Sequence, residues 1–476
     1  MFGLDGFGAR ASAPQLDFKF SDDAEVYERE LDRLTTGQGP VSFELETAEH
    51  RPAASWHHAA FHTVTAVVGA GVLGLPHAFS FLGWAAGLLL LTLLCGFSIY
   101  TSYLLAALHE APGGERLNTY REMGAAILGA QRGKLAVATV QYTLMAGLCI
   151  TYSVTAGQSL KGVASEECDG KDCQEGMGVW IVAFGAVQLL LSQVPDFHSL
   201  WWISLLGAVM SCGYCSIAIA MSGAHAAAHG PSTDLRHEGL STADRVFGVF
   251  NALGGVAFTF GGQAVLPEIQ ATLARPPPTV QTMMRGLTLS YVVVILAYYG
   301  VAVTGYAAFG AGVGADVLLN LKEPAGLMAA ANLMVVLHVA AAWQVFAMPI
   351  FDAVETAIRR AMRSPPRPLA MRLCVRSAYV AAVTLVACLL PFFGELMGLI
   401  SSIGLVRAMA PACLAGWQPI TFILPPIMWI KARAPTGAEL ALNLVIAASC
   451  SLIALLSLIG SARNIAVLAG EFSLFN

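Results

Sequence analysis

AVVGAGVLGLPHA, residues 66–78, sets three glycines and a proline inside an otherwise apolar stretch. It reads as a membrane helix that cannot stay regular. In hydrocarbon every backbone N–H and C=O needs a partner, so irregular backbone persists only where it is buried in protein or lines a wet cavity. Amides freed at such a break face whatever occupies the cavity, which in transporters is the substrate. Gly69, Ala70, Gly71 and Gly74 therefore form a candidate binding site.

Composition agrees with a membrane setting. Of 476 residues, 56% are apolar and only 12% charged, with mean hydropathy +0.65, so most of the chain must face lipid or other apolar helices. A net charge of −5 gives no reason to expect a nucleic-acid partner. The first 56 residues hold eleven acidic and five basic residues and no apolar run, and are expected to be a disordered cytosolic tail. Cys168 and Cys173, in the polar loop EECDGKDCQEG, are close enough to pair, although their spacing does not demand it. Cys212 and Cys215 sit in an apolar segment without His or acidic neighbours, where packing is expected rather than zinc.

Eleven runs are long enough to cross about 30 Å of hydrocarbon as helices. They lie at 57–79, 82–107, 135–160, 177–194, 199–222, 246–268, 286–309, 326–350, 372–393, 396–429 and 437–460. The tenth is too long for one crossing and contains Arg407, Pro411 and Pro419. With the N-terminus inside, cytosolic segments carry 19 Lys and Arg and the other side carries six, which sets the expected orientation. Trp56, Trp84, Trp180, Trp201, Trp202 and Trp429 fall near span ends, as interfacial anchors do. Thr119 and Glu122 make a capping-box pattern that predicts a short amphipathic helix along the cytosolic face. ARPPPTV (274–280) reads as a stiff connector, and Ser204, Ala208, Ser211 and Cys215 as a small-residue packing stripe.

If the spans form an inverted repeat of five helices, the partner of span one is span six, which should be broken too. Residues 246–268 read VFGVFNALGGVAFTFGGQAVLPE, with paired glycines at 254/255 and 261/262 and then Pro267. Either span alone could be explained by close packing, since glycine is common in membrane helices. Two interrupted spans at corresponding positions are much harder to explain that way. The layout is repeat one at 57–222, repeat two at 246–429, an eleventh helix at 437–460, and a short tail at 466–476 within a chain whose transporter domain covers 57–465. Half-helix N–H groups suit a carboxylate, while unwound carbonyls suit an ammonium or a cation, so the pair describes a site for a zwitterion.

Several stretches carry a likeness to a known family. AFHTVTAVVGAGVLGLPHAFSFLGW (60–84), HEAPGGERLNTYREMGAAILG (109–129), VAFTFGGQAVLPEIQATL (256–273), GYAAFG (305–310), LMAAANLMVVLHVAAAWQVFAMPIFDAVET (327–356) and PFFG (391–394) resemble plant-type amino acid/auxin permeases, nearest the lysine/histidine-transporter-like branch. The resemblance runs from about 55 to 465 and implies an all-α, LeuT-type fold of the APC superfamily, with proton-coupled uptake of neutral and basic amino acids, commonly at the plasma membrane. By resemblance Val68, Gly69, Ala70, Gly71 and Val72 hold the substrate carboxylate. Phe258, Thr259, Phe260 and Gly261 meet its amino group and gate the site, and Tyr152 and Thr155 line it. For the last two an ordinary interhelical hydrogen bond would fit equally. Three positions depart from the pattern: Gln263 stands where the family often has His, Pro267 replaces an aliphatic residue, and 404–417 resembles an insertion.

Titratable groups inside the spans are few. His62 and His338 are coupling candidates because His titrates nearest physiological pH, the competing reading being a neutral ring bonded between helices. Gln263 cannot carry a proton; Glu268, ending span six, either latches that mouth or faces water. His57 and His58 sit at the interface and read as inert. Unwound carbonyls and Thr65 leave sodium open, yet no carboxylate stands at either break, and the proton is the expected coupling ion. No cofactor and no metal are expected. The expected partners are an amino-acid substrate and the bilayer. An aromatic, auxin-like acid is the alternative substrate, and an amino-acid sensor with little transport the alternative role. No nucleophile elbow, HExxH or paired intramembrane carboxylates point to an enzyme.

Overall fold

The computed structural model describes residues 54–110, 116–167, 176–193, 201–275 except 236 and 238, 277–362 except 322, 369–390 and 419–471. The acidic tail, Cys168 and Cys173, PFFG and the segment 404–417 with Arg407 lie outside the described residues. Among the described residues the regular elements are all helices.

Helix α1 (Trp56–Val67) runs into the glycine-rich stretch and stops. Val68 takes φ −81° and ψ 73°, and the Gly69 N–H donates to the Val67 carbonyl at 2.9 Å, closing an inverse γ-turn. A five-residue 3₁₀ turn, Ala70–Gly74, follows. Then α2 (Leu75–Leu108) opens with Pro76 in its first turn, where no N–H is needed. Thirty-four residues of helix rise about 50 Å, too far for one bilayer core. The excess is resolved at Gly83, whose φ of +74° only glycine adopts without strain, and which kinks α2 into the end of crossing one and the whole of crossing two.

Helix α3 (Tyr120–Leu128) starts with the expected capping box: Glu122 N–H donates to Thr119 Oγ1 and Thr119 N–H to Glu122 Oε2, both at 3.2 Å. The first half is completed by α4 (Arg132–Glu167), α5 (Met177–Leu191) and α6 (Trp201–His229). The second half repeats the opening. Helix α7 (Thr242–Phe258) stops, a five-residue 3₁₀ turn spans Gly261–Val265, and α8 (Leu266–Ala271) starts on Leu-Pro at an angle of 45° to α7. Pro267 therefore occupies the position in α8 that Pro76 occupies in α2. Helices α9 (Thr279–Phe309), α10 (Ala325–Met362), α11 (Leu369–Leu389), α12 (Leu424–Arg433) and α13 (Gly437–Glu471) follow.

Seven helices are long and apolar enough to cross a membrane, the α7/α8 pair makes an eighth, and α5 is a shorter apolar helix. With α2 shared between two crossings and residues 419–433 at the expected tenth, the described apolar helices fall at the eleven expected spans. Helix α10 overruns its expected end at 350, passing through Pro349 to Met362. Hydropathy falls there because the last turns leave the lipid, but the helix does not stop. One of these turns carries Glu355, which accepts from Arg376 Nε of α11 at 2.8 Å; the two side chains are 1% and 0% exposed. Arg376 also donates to the Ser192 carbonyl at 2.8 Å and lies over the Phe351 ring, so one guanidinium joins α10 and α11 to the end of α5.

The helices pack in two groups. One holds α1, α2, α7 and α9; the other holds α4, α5, α10 and α11. Helix α6 touches both, and its stripe of Ser204, Ala208, Ser211 and Cys215 is buried as expected. Close approach shows at Gly207, where an added Cβ would lie 2.9 Å from Thr65 of α1 and 3.1 Å from Ala341 of α10. Trp429, expected as an interfacial anchor, is instead 9% exposed and donates to Glu439 Oε1 at 2.8 Å, tying α12 to α13. Its partner lies across a three-residue turn, so packing claims the ring before lipid can.

At the α3 end, segments between helices are fastened to one another. Ala54 N–H donates to Thr272 O and Ala274 N–H to Ala54 O, both at 3.2 Å, a strand-like clasp between the lead into α1 and the exit from α8. Arg116 donates to the carbonyls of Gln270, Ala271 and Leu273, closing the C-terminus of α8 with a cation. Glu110 accepts from Thr279 N and Oγ1 at the start of α9 and pairs with Arg275 at 2.7 Å.

At the opposite end, the loop after α9 is held by Asp316, whose Oδ1 accepts from Leu318 N–H at 2.9 Å. Burial pushes the Asp316 carboxyl up to about 6, against the pull of that amide. With the folded value above the unfolded 3.8, its contribution to stability is fully present below that pH and lost as pH rises through about 6. Hydrogen exchange at residues 314–320, corrected for intrinsic rate, is expected to show opening about tenfold more frequent at pH 7 than at pH 5. Asp316→Asn should flatten that profile; a flat wild-type profile would contradict the assignment.

Candidate functional site

The two breaks meet. An added Cβ on Gly262 would lie 2.3 Å from Val67 Cγ2, so the second break sits directly on the end of α1. Gly71 faces Phe258 and Thr259: a Cβ there would meet Phe258 Cδ1 at 3.0 Å and Thr259 Cγ2 at 3.4 Å. Gly69 faces the Tyr152 hydroxyl, which would lie 2.8 Å from its Cβ. Residues Val68, Gly69, Ala70, Gly71, Val72, Tyr152, Phe258, Thr259, Phe260 and Gly261 are all buried, and the structure gathers them around one centre.

The hydrogen bonds explain how irregular backbone survives here. Tyr298 of α9 donates its hydroxyl to Val67 O at 2.6 Å and also reaches Thr259 O, so one phenol serves carbonyls of both breaks. Tyr214 of α6 donates to Val68 O at 3.3 Å. Ala70 and Gly71 open the 3₁₀ turn, and the first N–H groups of a helical segment have no acceptor within it. The first break thus leaves amide hydrogens without an acceptor in their own turn, and the second shares a carbonyl whose tyrosine has a single proton to divide. A carboxylate suits the former and an ammonium the latter.

Phe260 stands edge-on to Tyr298 at 5.2 Å, whereas Phe258 covers Gly71. Thr259 Oγ1 is turned back onto Val256 O at 2.7 Å. Thr155 is likewise turned onto its own helix, donating to Thr151 O at 3.0 Å, so the interhelical bond considered for it is not formed. Gln263 lies in a fully buried polar cluster: its Nε2 donates to Ser98 Oγ at 2.7 Å and Ser102 Oγ at 3.2 Å, and both serines reach the Tyr291 hydroxyl. Its Oε1 has no partner. This amide fastens the second break to α2 and α9.

His62 is buried in α1. His338 donates Nδ1–H to Gly207 O at 2.9 Å and stands edge-on to Tyr214, whose hydroxyl holds Val68 O; its Nε2 is buried without a partner. A line of contact therefore runs from this histidine to the first break. Glu268 accepts on Oε1 from Gln141 Nε2 at 2.9 Å and from the Tyr120 N–H at 3.3 Å. Since Tyr120 begins α3, that carboxylate also sits on a helix N-terminus. It borders a cavity of about 270 Å³ with Arg121, Tyr142 and Asp352. Tyr298, Tyr214 and Gln141 carry much of this geometry and were not singled out from the sequence, where they are unremarkable members of apolar spans.

The model of the family described as "Transmembrane amino acid transporter protein" matches residues 52–466. Lysine histidine transporter-like 6 of Arabidopsis thaliana is 37% identical over 441 residues, covering 91% of this chain and 96% of the relative. Lysine histidine transporter-like 1 of the same plant is 36% identical over 430 residues, covering 89% and 91%. Among solved structures, the MhsT complex with L-phenylalanine aligns at TM-score 0.50 and 13% identity over 86% of this chain and 99% of that one, a likeness of fold.

Proposed function

Because the chain belongs to the transmembrane amino acid transporter family, we propose that it is a secondary active transporter that imports amino acids by alternating access, with the proton as coupling ion. The observation that carries this reading is the meeting of two broken helices, Gly262 on Val67 and Gly71 under Phe258, with one tyrosine hydroxyl shared between their carbonyls. The amides of Ala70 and Gly71 take the substrate carboxylate; the Thr259 carbonyl takes its ammonium. Phe258 closes over Gly71 as the gate. Neutral amino acids fit a centre with no formal charge among its described walls.

Proton coupling is supported by what already occupies the oxygens near the first break. Val67 O accepts two bonds and Val68 O accepts one from Tyr214, acceptor capacity at the first break that a metal cation would otherwise use. His62 and His338 are the proposed proton carriers. The mouth bearing α3 faces the cytosol in this reading, with the N-terminus inside and the plasma membrane as residence. The relatives are named transporters, in keeping with a role in transport rather than catalysis.

The test is uptake of a labelled amino-acid panel by the purified protein in liposomes, with proton and sodium gradients imposed separately. Uptake of neutral amino acids driven by the proton gradient alone is expected. Drive by sodium alone would replace the coupling ion, and binding without flux would make the protein a sensor.

A further inference from the structure

Two cavities lie at the end of the molecule opposite α3, and Phe81 forms a wall of both. The smaller, about 230 Å³, reaches Gly74 at the end of the first break and also touches His77, Asn251 and Asn464. The larger, about 460 Å³, is walled by Trp84, Tyr306, His237 and Arg245, and its size lies in the range of small-molecule sites. Phe81 is held in place on three sides. Its ring stacks on His237 at 4.3 Å, takes His77 edge-on at 5.3 Å, and lies so close to Gly248 of α7 that a Cβ there would come within 2.3 Å.

The larger cavity is assembled with defined polarity. Ser80 Oγ gives its proton to His77 O at 2.7 Å and so accepts from His237 Nε2–H at 3.0 Å. Burial, and then the neighbouring His77 ring, hold His237 below the ordinary histidine range. Arg245 is steadied by donating to the His237 carbonyl at 2.9 Å, and it is the one formal charge among the described lining residues. The nearby Asp244 is already taken by Arg463 at 2.5 Å and by Ser241. The same cavity has an aromatic pair in its lining, with Trp84 and Tyr306 at 4.8 Å between ring centroids and the Tyr306 hydroxyl donating to Leu235 O. A cation and aromatic surface lining one cavity, with no carboxylate among the described walls, select a ligand that carries a carboxylate and an apolar body.

We propose that this larger cavity is a second binding site, for an aromatic amino acid or another aromatic carboxylate, with Arg245 on the carboxylate and Trp84 and Tyr306 against the ring. Phe81 separates it from the smaller cavity, so a ligand here waits one aromatic side chain away from the route to the first break. The inference rests on the reading of the chain as an amino-acid transporter. It makes no demand on the ligand's ammonium group, in contrast to the central site.

The test is equilibrium binding of labelled L-phenylalanine to the purified full chain. Gly71→Val, which blocks the central site, is expected to retain one weak site displaced by phenylacetate and not by phenethylamine. Adding Arg245→Gln to that variant should weaken the remaining binding at least about tenfold. Loss of all binding in a folded Gly71→Val protein, or displacement by phenethylamine as readily as by phenylacetate, would overturn the second site and leave the central one standing. A second measurement does not depend on Gly71→Val folding. In the otherwise unaltered protein, Arg245→Gln should raise the half-saturating phenylalanine concentration for uptake at least about fivefold, and Arg245→Lys should recover most of it. Equal values for the three proteins would overturn the proposal.

Discussion

Gly71→Val is expected to lower amino-acid uptake at least about 100-fold while the protein still inserts and folds. A 100-fold loss corresponds to about 2.7 kcal/mol, less than two large steric clashes supply. At position 71 the first added carbon would already lie 3.0 Å from Phe258 and 3.4 Å from Thr259, and valine places two methyl groups beyond it. Those methyls fill the space over the Ala70 and Gly71 amides that a carboxylate requires. Phe258 can yield only by leaving the position from which it covers the break. Gly71→Ala should be milder, because a single carbon at 3.0 Å asks its neighbour to move by a few tenths of an ångström. Uptake into liposomes, beside size-exclusion behaviour and a thermal melt, separates loss of the site from loss of the fold. Normal transport by the valine variant would remove the site assignment.

Tyr298→Phe is expected to reduce uptake about 30-fold and to lower thermal stability together with it. The phenol is 1% exposed and is the hydroxyl seen on both Val67 O and Thr259 O. Removing it leaves buried carbonyls short of a donor in hydrocarbon, at about 1–3 kcal/mol for each unsatisfied group. The Val67 carbonyl keeps its bond from the Gly69 amide, so the larger effect falls on the second break. A ring of the same shape remains to pack on Phe260, so the variant isolates the hydrogen bond from the packing. Tyr299 serves as the control. Its hydroxyl meets Thr92, 2.6 Å away on an exposed face, and Tyr299→Phe should leave uptake within about twofold. Equal behaviour of the two variants would show that Tyr298 does not hold the breaks together.

The contrast between those neighbours shows how much could be read in advance. Interruption of a helix is written locally: Gly-rich stretches followed by Leu-Pro at 75–76 and 266–267 announced both breaks, and Thr119 with Glu122 announced the start of α3. Those features depend on residues adjacent in the chain. Tyr298 and Tyr299 differ by one step, about 100° around a helix, and only the rotation of α9 against α1 decides which hydroxyl faces the breaks. Gln263 illustrates the same limit. Its inability to carry a proton was plain from its chemistry, but its bonds to Ser98 and Ser102 come from a helix some 160 residues earlier. Glu355 and Arg376 meet out of water, and their mutual burial follows from helix packing that sequence spacing does not encode.

The clasp at Ala54 has a mechanical meaning. Two backbone hydrogen bonds yoke the lead into α1 to the exit from α8, so any displacement of one lower arm would carry the other unless that yoke is released. Backbone hydrogen bonds of this kind contribute roughly 1 kcal/mol each, so release lies within the free energy a bound ligand can redirect. The yoke is a small latch on a large lever: strong enough to keep the arms in step, weak enough to part under the alternating access proposed for this chain.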